Sequence, residues 1–181
     1  FDEYRAAGTL PPILVEHKVE AKLFGDTEKL QEWRNNFRGL RWADPKSGHT
    51  LYGAVDDILE FPDDSLAILD YKSSGAREVT IYDSYQLQMD VYTFLLQRLG
   101  YRTAPKAYLA FFGAVKDDQL NGRLPFRAEL VAVTPQPDRV DKLFKDAVAV
   151  VQADQEPESG AACDVWGWEG EAAAVRAEGN S

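Results

Sequence analysis

The sequence predicts one domain of the α/β or α+β class, with helices and strands packed in layers around a shared core. Three observations support this class. Helix-like and strand-like segments are mixed along the chain, a length of 181 residues suits one domain, and 45% hydrophobic with 28% charged residues is typical of a folded chain. We expect a single domain with its core over about residues 11–152 and an acidic, Trp-containing tail over residues 153–181.

The first third of the chain predicts a strand, a short helix and a loop. Residues 13–24 follow Pro11-Pro12 and alternate in polarity, which predicts a strand ending at Gly25. Asp26 or Thr27 is a suitable cap for a short helix that Gly39 would stop. Residues 45–48 then form a loop.

Two strands are predicted next, over residues 50–61 and 66–72. The connection Pro62-Asp63-Asp64-Ser65 is short and polar, which predicts an antiparallel hairpin. Residues 84–99 have apolar side chains at helical spacing, among them Leu87 and Phe94, and Gly100 ends this predicted helix. Residues 106–112 predict a buried strand, residues 126–133 another strand whose position at an edge stays open, and residues 138–151 a last helix.

The charge of the chain is unevenly distributed. It has 30 acidic residues against 20 Lys plus Arg, for a net charge of −10. Six acids and no base lie between residues 47 and 71, and seven acids with one base lie between residues 152 and 181. The rest of the chain is nearly neutral, so its low isoelectric point does not exclude a nucleic-acid partner. An internal acidic segment is typical of a cation site, and equally of an acidic loop.

Cysteine usage and hydropathy bear on location. One Cys excludes an intramolecular disulfide framework and favours a reducing compartment, so we expect a cytoplasmic protein. The longest apolar stretch, residues 107–115, is too short to cross a membrane, and no membrane partner is expected. The chain begins without Met and without a signal peptide, which indicates a trimmed or partial chain.

The predicted hairpin contains the residues best suited to chemistry. Strand alternation places Asp70 and Lys72 on the same face, and the antiparallel partner brings Asp56 near Asp70. Two neighbouring carboxylates repel each other unless a cation or a shared proton lies between them. Oxygen ligands of this kind suit Mg²⁺ or Mn²⁺ better than Zn²⁺. The alternative is a solvated polar face, although the apolar run Ala67-Ile68-Leu69 favours a buried strand.

The helix that follows the hairpin adds polar residues on one stripe. Tyr85, Gln88 and Tyr92 lie at positions i, i+3 and i+7. Such side chains can hydrogen-bond a phosphate or stack on a base. The structural alternative is that the two tyrosines lie at the boundary of the core and that Gln88 is solvated.

Taken in order, these segments resemble a known family. Gly-Ala-Val-Asp-Asp-Ile-Leu from Gly53, Leu-Ala-Ile-Leu-Asp-Tyr-Lys from Leu66 and Tyr-Gln-Leu-Gln-Met-Asp-Val-Tyr from Tyr85 are similar to three motifs of the RecB-like branch of the PD-(D/E)XK nuclease superfamily. Each motif alone is weak, but their order and spacing together are specific. The resemblance implies an α/β restriction-endonuclease-like core, in which a central mixed β-sheet is flanked by α-helices.

The resemblance also implies roles and partners. Asp56, Asp70 and the Tyr71 backbone carbonyl would bind one or two Mg²⁺ or Mn²⁺ ions, and Lys72 would position the attacking water. Gln88 and Tyr92 would contact the DNA backbone or support the metal site. The implied reaction is phosphodiester hydrolysis, most often by an exonuclease, on single- or double-stranded DNA. Recombination, phage or CRISPR-associated machinery is the implied larger context.

Two features depart from the family pattern. Many relatives carry a metal-binding His before the first motif, and no such motif is visible here. Two alternatives stay open: the His lies upstream of Phe1, or Glu16, His17 or Glu20 acts in its place, although His17 is better explained as an ordinary strand residue. Several relatives end in cysteines that hold an iron–sulfur cluster. Here Trp166 stands where the second Cys of a C-x-x-C pair with Cys163 would fall. One thiolate cannot hold a cluster, so none is expected.

Basic residues suggest where DNA would bind. Arg34, Arg38, Arg41 and Lys46 form the densest basic group, and Arg77 follows the Lys72 strand. We take Arg38, Arg41, Arg77 and Tyr85 as candidate DNA contacts, with an ordinary solvated face as the alternative. Two other functions stay open: a non-catalytic module of nuclease fold that binds nucleic acid or docks in a complex, and a metal-dependent hydrolase of smaller phosphoesters.

Overall fold

A computed structural model describes residues 1–74, 79–115, 122, 124–155 and 168 of the chain. The helices are Asp2–Ala7 (α1), Pro12–Glu16 (α2), Thr27–Arg34 (α3), Asp83–Arg98 (α4) and Asp138–Gln152 (α5). The strands are Lys22–Leu23 (β1), Leu40–Ala43 (β2), Thr50–Gly53 (β3), Asp57–Glu60 (β4), Leu66–Ser74 (β5), Ala107–Ala114 (β6) and Phe126–Val133 (β7). Chain contacts divide into two units, Phe1–Lys145 and Asp146–Ser181.

The main sheet has five strands in the order β1-β4-β5-β6-β7. β5 and β6 are parallel and the other neighbours are antiparallel, which makes the sheet mixed. A parallel pair needs a long crossover connection, and α4 lies within the one that joins β5 to β6. The predicted fold class, a mixed sheet with flanking helices, is confirmed, as is the β4–β5 hairpin, and β7 is an edge strand.

The strand predicted over residues 50–61 is wrong as one element. It is two strands, because the Val55 N–H donates to the Trp33 carbonyl at 3.1 Å and this contact interrupts sheet pairing. β3 pairs with β2, an unpredicted strand, in a separate two-stranded sheet, while β4 joins the main sheet. The helix predicted to stop at Gly39 ends at Arg34 instead, and its predicted cap is correct: the Asp26 carboxylate accepts from the Lys29 N–H at 3.0 Å.

The strand predicted over residues 13–24 is also wrong. Pro12 begins the short helix α2, because proline has a fixed φ that suits a first helical position. His17 caps that helix, and Lys18 follows with φ 52, so the chain turns before the two-residue strand β1. The helix α1, which the sequence pattern did not indicate, precedes all of these.

Hydrophobic side chains form two clusters. Ile58 and Ile68 pack with Met89 and Leu95 of α4, while Leu59 and Leu69 pack with Leu14 of α2. Because consecutive strand residues point to opposite faces, the clusters lie on the two sides of the sheet. Leu87 of the predicted apolar stripe of α4 is 39% exposed, and Met89 is buried in its place. Within the described ranges no helix has the length and apolar character needed to cross a bilayer.

Candidate active site

The β4–β5 hairpin brings Asp56 and Asp70 together. Its register pairs Asp57 with Leu69 and Ile58 with Ile68, so Asp56, just before β4, lies opposite Asp70. The Tyr71 N–H donates to Asp56 Oδ2 at 2.7 Å. Asp56 and Asp70 share their sheet face with Ile58 and Ile68, and therefore point to the side covered by α4.

Asp70 is a buried carboxylate with one charged partner. It is 2% exposed, and its Oδ2 atom lies 2.5 Å from Lys72 Nζ, with no other hydrogen-bond partner in the described part of the chain. Burial raises the pKa of Asp70, and the nearby Asp56 carboxylate raises it further, while Lys72 acts in the opposite direction. Lys72 thus offsets only part of the effect that burial and Asp56 have on the pKa of Asp70.

Lys72 connects this carboxylate to α4. Its Nζ atom donates to Gln88 Oε1 at 2.7 Å and lies 4.7 Å from the centre of the Tyr85 ring. Gln88 Nε2 in turn donates to the Tyr92 hydroxyl at 3.0 Å. Lys72, Gln88 and Tyr92 therefore form a continuous hydrogen-bonded chain. Tyr85 is partly buried at the boundary of the core, and its ring faces the ammonium group.

The ring of Tyr92 packs directly against the backbone of Gly53. A Cβ atom at residue 53 would lie 2.6 Å from Tyr92 Cε1, so only glycine allows the ring to rest on the backbone at the end of β3. Burial raises the pKa of the Tyr92 hydroxyl, and the carboxylates of Asp70 and Asp56 raise it further. The contacts that run from Asp70 through Lys72 and Gln88 to the Tyr92 hydroxyl place the phenol on the same side of the sheet as the two acids.

The donor set suits a hard divalent cation. Mg²⁺ is commonly held by one or two carboxylates together with waters and substrate phosphates. Asp56 and Asp70 provide two neighbouring carboxylates, and Asp70 Oδ2 is a buried oxygen for which the described residues supply only the ion pair with Lys72. These residues therefore fit Mg²⁺ or Mn²⁺.

Asp56 and Asp70 have no third acidic or imidazole ligand beside them among the residues that the structure describes. In that part of the chain no group of three His, Cys, Asp or Glu is close enough to hold an ion. The candidates Glu16, His17 and Glu20 thus do not complete a site with Asp56 and Asp70. His17 is not a strand residue as predicted: it caps α2, and its Nδ1 atom lies 2.9 Å from the Ile13 carbonyl.

The predicted DNA contacts differ in their surroundings. Arg38 is exposed, and Arg41 lies 5.0 Å from the Tyr52 ring while donating to the Phe37 carbonyl at 2.9 Å. Arg34 of the predicted basic group is not available to DNA, because it is bonded to Asp2, Asp57 and the Asp56 carbonyl. Arg77, Cys163 and Trp166 lie outside the described residues.

A buried acid next to Asp56 was missed by sequence reasoning. Asp57 is 0% exposed and points to the opposite face of the sheet, where it accepts from Arg5, from Arg34 at 3.0 Å and from the Tyr71 hydroxyl at 2.6 Å. A signal was present in the sequence. Two adjacent acids at the start of a strand point to opposite faces, so one of them must lie on the apolar side and requires cationic partners.

Comparisons with known proteins place the chain in a family. The family model described as PD-(D/E)XK nuclease superfamily matches residues 4–165. No curated protein matches the chain at a significant level. Among solved structures, the one described as "Crystal structure of SSO0001" is similar at 13% identity and a TM-score of 0.36, over 59% of this chain and 44% of that chain. The chain thus spans less than half the length of that protein.

Proposed function

The chain belongs to the PD-(D/E)XK nuclease superfamily, and from this premise we propose that it is a divalent-metal-dependent nuclease that hydrolyses phosphodiester bonds in DNA. We further propose that it acts as an exonuclease of the RecB-like type. The observation that carries the proposal is the convergence of Asp56, Asp70 and Lys72 on one face of the sheet, beside Gln88 and Tyr92.

Asp56, Asp70 and the Tyr71 backbone carbonyl are the proposed ligands of Mg²⁺ or Mn²⁺. When bound, such a cation supplies Lewis-acid polarisation of a phosphate oxygen and lowers the pKa of a nearby water. The ligands also benefit, because a cation would offset the burial that raises the pKa of Asp70 as well as the smaller repulsion from Asp56. No iron–sulfur cluster enters this proposal.

Lys72 is the proposed group that orients the attacking water. An ammonium group has three N–H donors. In this structure Lys72 Nζ donates to Gln88 Oε1 and forms an ion pair with Asp70 Oδ2. Among the described residues these are its polar partners, which leaves a donor for a water or a phosphate oxygen. Because Asp70, Gln88 and the Tyr85 ring all contact Nζ, the donor is held in place before substrate arrives, which is the condition for effective positioning.

Gln88 and Tyr92 are proposed to support Lys72 and to contact the scissile strand. The DNA backbone would lie along Arg38, in the loop that joins α3 to β2, and Arg41, near the start of β2. This loop is close to the site, because the space for a Cβ at Gly39 lies 2.5 Å from the Gly53 carbonyl oxygen, and Gly53 supports Tyr92. Tyr85 is proposed as a stacking contact and Arg77 as a further basic one. A cytoplasmic recombination, phage or CRISPR-associated complex is the proposed setting.

The test is degradation of end-labelled linear DNA, single- and double-stranded, with Mg²⁺ or Mn²⁺ and with excess EDTA. Lys72→Met keeps the length of the side chain and removes the donor, and it is expected to lower the rate by about 10²–10⁴-fold. Lys106→Met is the matched control, because Lys106 is an exposed lysine just before β6, whereas Lys72 pairs with Phe111 further along that strand. Circular duplex DNA, which has no ends, should resist an exonuclease.

Equal rates for Lys72→Met and Lys106→Met would refute the assigned role. Calorimetry with Mn²⁺ separates this function from the alternative of a non-catalytic nuclease-fold module. If the wild-type chain neither binds Mn²⁺ nor degrades DNA, the module is favoured. Turnover of mononucleotide phosphoesters without turnover of DNA would instead favour the small-phosphoester hydrolase.

A further inference from the structure

A buried polar cluster lies on the sheet face opposite the candidate site. We call Asp57, Tyr71, Arg5 and Arg34 the rear cluster. Asp57 is fully buried, the Arg5 side chain is 5% exposed and the Arg34 side chain is 19% exposed. Arg5 and Arg34 approach different oxygens of Asp57, and the Tyr71 hydroxyl donates to Oδ2 at 2.6 Å. One carboxylate is therefore held by three side-chain donors from three separate segments of the chain, and the Ile58 N–H also donates to its Oδ1 atom at 2.8 Å.

The rear cluster is connected to the proposed metal ligands through the backbone. Asp57 follows Asp56, and Tyr71 follows Asp70, so each ligand has a cluster member as its neighbour in the chain. Arg34 adds a direct link, because its Nε atom donates to the Asp56 carbonyl at 2.6 Å while its Nη2 atom donates to Asp57 Oδ2. On the front face, the Tyr71 N–H donates to Asp56 Oδ2 at 2.7 Å. Asp56 is thus held at two points, its carbonyl by Arg34 and its carboxylate by the Tyr71 N–H.

Stability alone is a poor explanation of this arrangement. Removing charges from water costs free energy, and well-packed apolar residues often replace a buried ion pair without loss of stability. The surroundings here are apolar, since Leu59, Leu69 and Phe112 belong to the same face. What apolar side chains do not provide is a directional contact with the Asp56 carbonyl.

We propose that Arg34 is a positioning residue that holds Asp56 in the orientation needed to bind metal together with Asp70. This inference rests on the proposed function. Arg34 acts through the Asp56 carbonyl and through Asp57, and Arg5 and the Tyr71 hydroxyl support it by completing the coordination of Asp57. The carboxylate of Asp56 then meets the cation in a fixed orientation without an ordering step upon binding.

Two measurements on Arg34→Met test the proposal: the Mn²⁺ dissociation constant from calorimetry, and the exchange rate of the Tyr71 amide proton from NMR. The variant is expected to bind Mn²⁺ about tenfold more weakly, at the low end of the range for residues that orient metal ligands. The Tyr71 amide should exchange faster, since its acceptor Asp56 becomes mobile. Arg102→Met is the matched control, because Arg102 forms an exposed ion pair with Asp63 at the far end of the same hairpin.

Arg34→Lys separates charge from geometry. Lysine keeps the positive charge, but its single ammonium group does not reproduce the planar fork that reaches the Asp56 carbonyl and Asp57 together. It is expected to restore folding stability but not Mn²⁺ affinity. If Arg34→Met does not fold, Tyr71→Phe removes only the hydroxyl donor to Asp57 and is measured in the same two ways.

The proposal is overturned if Arg34→Met binds Mn²⁺ as tightly as Arg102→Met and its Tyr71 amide exchanges at the wild-type rate. Failure of the proposed function has a different signature. In that case the wild-type chain itself binds no Mn²⁺, and the Tyr71 amide exchange still decides whether Arg34 orients Asp56.

Discussion

Gly53→Ala should damage the candidate site by displacing one ring. The new methyl carbon would lie 2.6 Å from Tyr92 Cε1 and 3.2 Å from Cδ1, whereas carbon atoms in contact prefer about 3.5–4.0 Å. The ring must therefore move by about 1 Å, which is enough to break the 3.0 Å hydrogen bond from Gln88 to the Tyr92 hydroxyl. Gln88 also accepts from Lys72, so the ammonium group loses its alignment.

The magnitude follows from two opposing effects. Overpacking of this kind costs about 1–3 kcal/mol, and the reduced entropy of the unfolded chain returns about 0.4–1 kcal/mol. We expect a net loss of about 1–2 kcal/mol in the free energy of unfolding and a decrease of about 10²-fold in the nuclease rate. Urea unfolding and single-turnover degradation of DNA measure the two quantities.

Gly25→Ala is the matched control, since a Cβ at Gly25 meets no atom within 4 Å. Gly53→Ala in a Tyr92→Ala background completes a double-mutant cycle. There the cost of Gly53→Ala should vanish, because the ring that it strikes is absent. The reasoning is refuted if Gly53→Ala matches Gly25→Ala in stability and activity, or if its cost persists without the Tyr92 ring.

Two carboxylates give further expectations. Because the pKa of Asp70 is raised in the folded chain, the contribution of Asp70 to stability is fully present below the ordinary value of 3.8 and is lost as pH rises through the folded pKa. Asp70→Asn should therefore raise Tm at pH 7 in the absence of metal, by about 2–4 °C for each kcal/mol of stability gained. A lower Tm would contradict this expectation. Hydrogen bonds from the Ser65 hydroxyl and N–H, together with Arg102, lower the pKa of Asp63 to about 2, so its stabilising effect is present above pH 3.8 and is lost as pH falls toward 2. Carbon-13 NMR titration measures that pKa directly, and a midpoint near 3.8 would disprove the assigned contacts.

The second half of the fold was predictable because local signals agreed with the tertiary structure. The helix predicted over residues 84–99 is Asp83–Arg98, and the strand predicted over residues 126–133 is Phe126–Val133. The first part of the fold was not predictable, because it depends on contacts between residues distant in sequence and on an unusual backbone conformation. The break after β3 depends on the Trp33 carbonyl, and the end of α2 depends on a positive φ at Lys18, a conformation that lysine rarely adopts.

The candidate site divides in the same way. The common face of Asp70 and Lys72 follows from strand alternation alone, and the position of Asp56 follows from the antiparallel turn, so both could be predicted. The partners of Asp57 could not, since Arg5 is 52 residues away in sequence and lies on a helix with no signal in the pattern. The functional roles of Asp56, Asp70 and Lys72 stay predictions that the variants test.

The ion pairs show which acids of the segment between residues 47 and 71 are compensated by a positive charge. Four of its six acids have cationic partners: Asp57 with Arg5 and Arg34, Glu60 with Lys22, Asp63 with Arg102, and Asp70 with Lys72. Among the described residues, Asp56 and Asp64 form no ion pair. Asp64 is exposed in the turn, where water screens its charge, whereas Asp56 is half-buried beside Asp70. The uncompensated negative charge of the segment is therefore concentrated where two carboxylates meet, and the position that best accepts a divalent cation is also the one that a phosphate would have to approach.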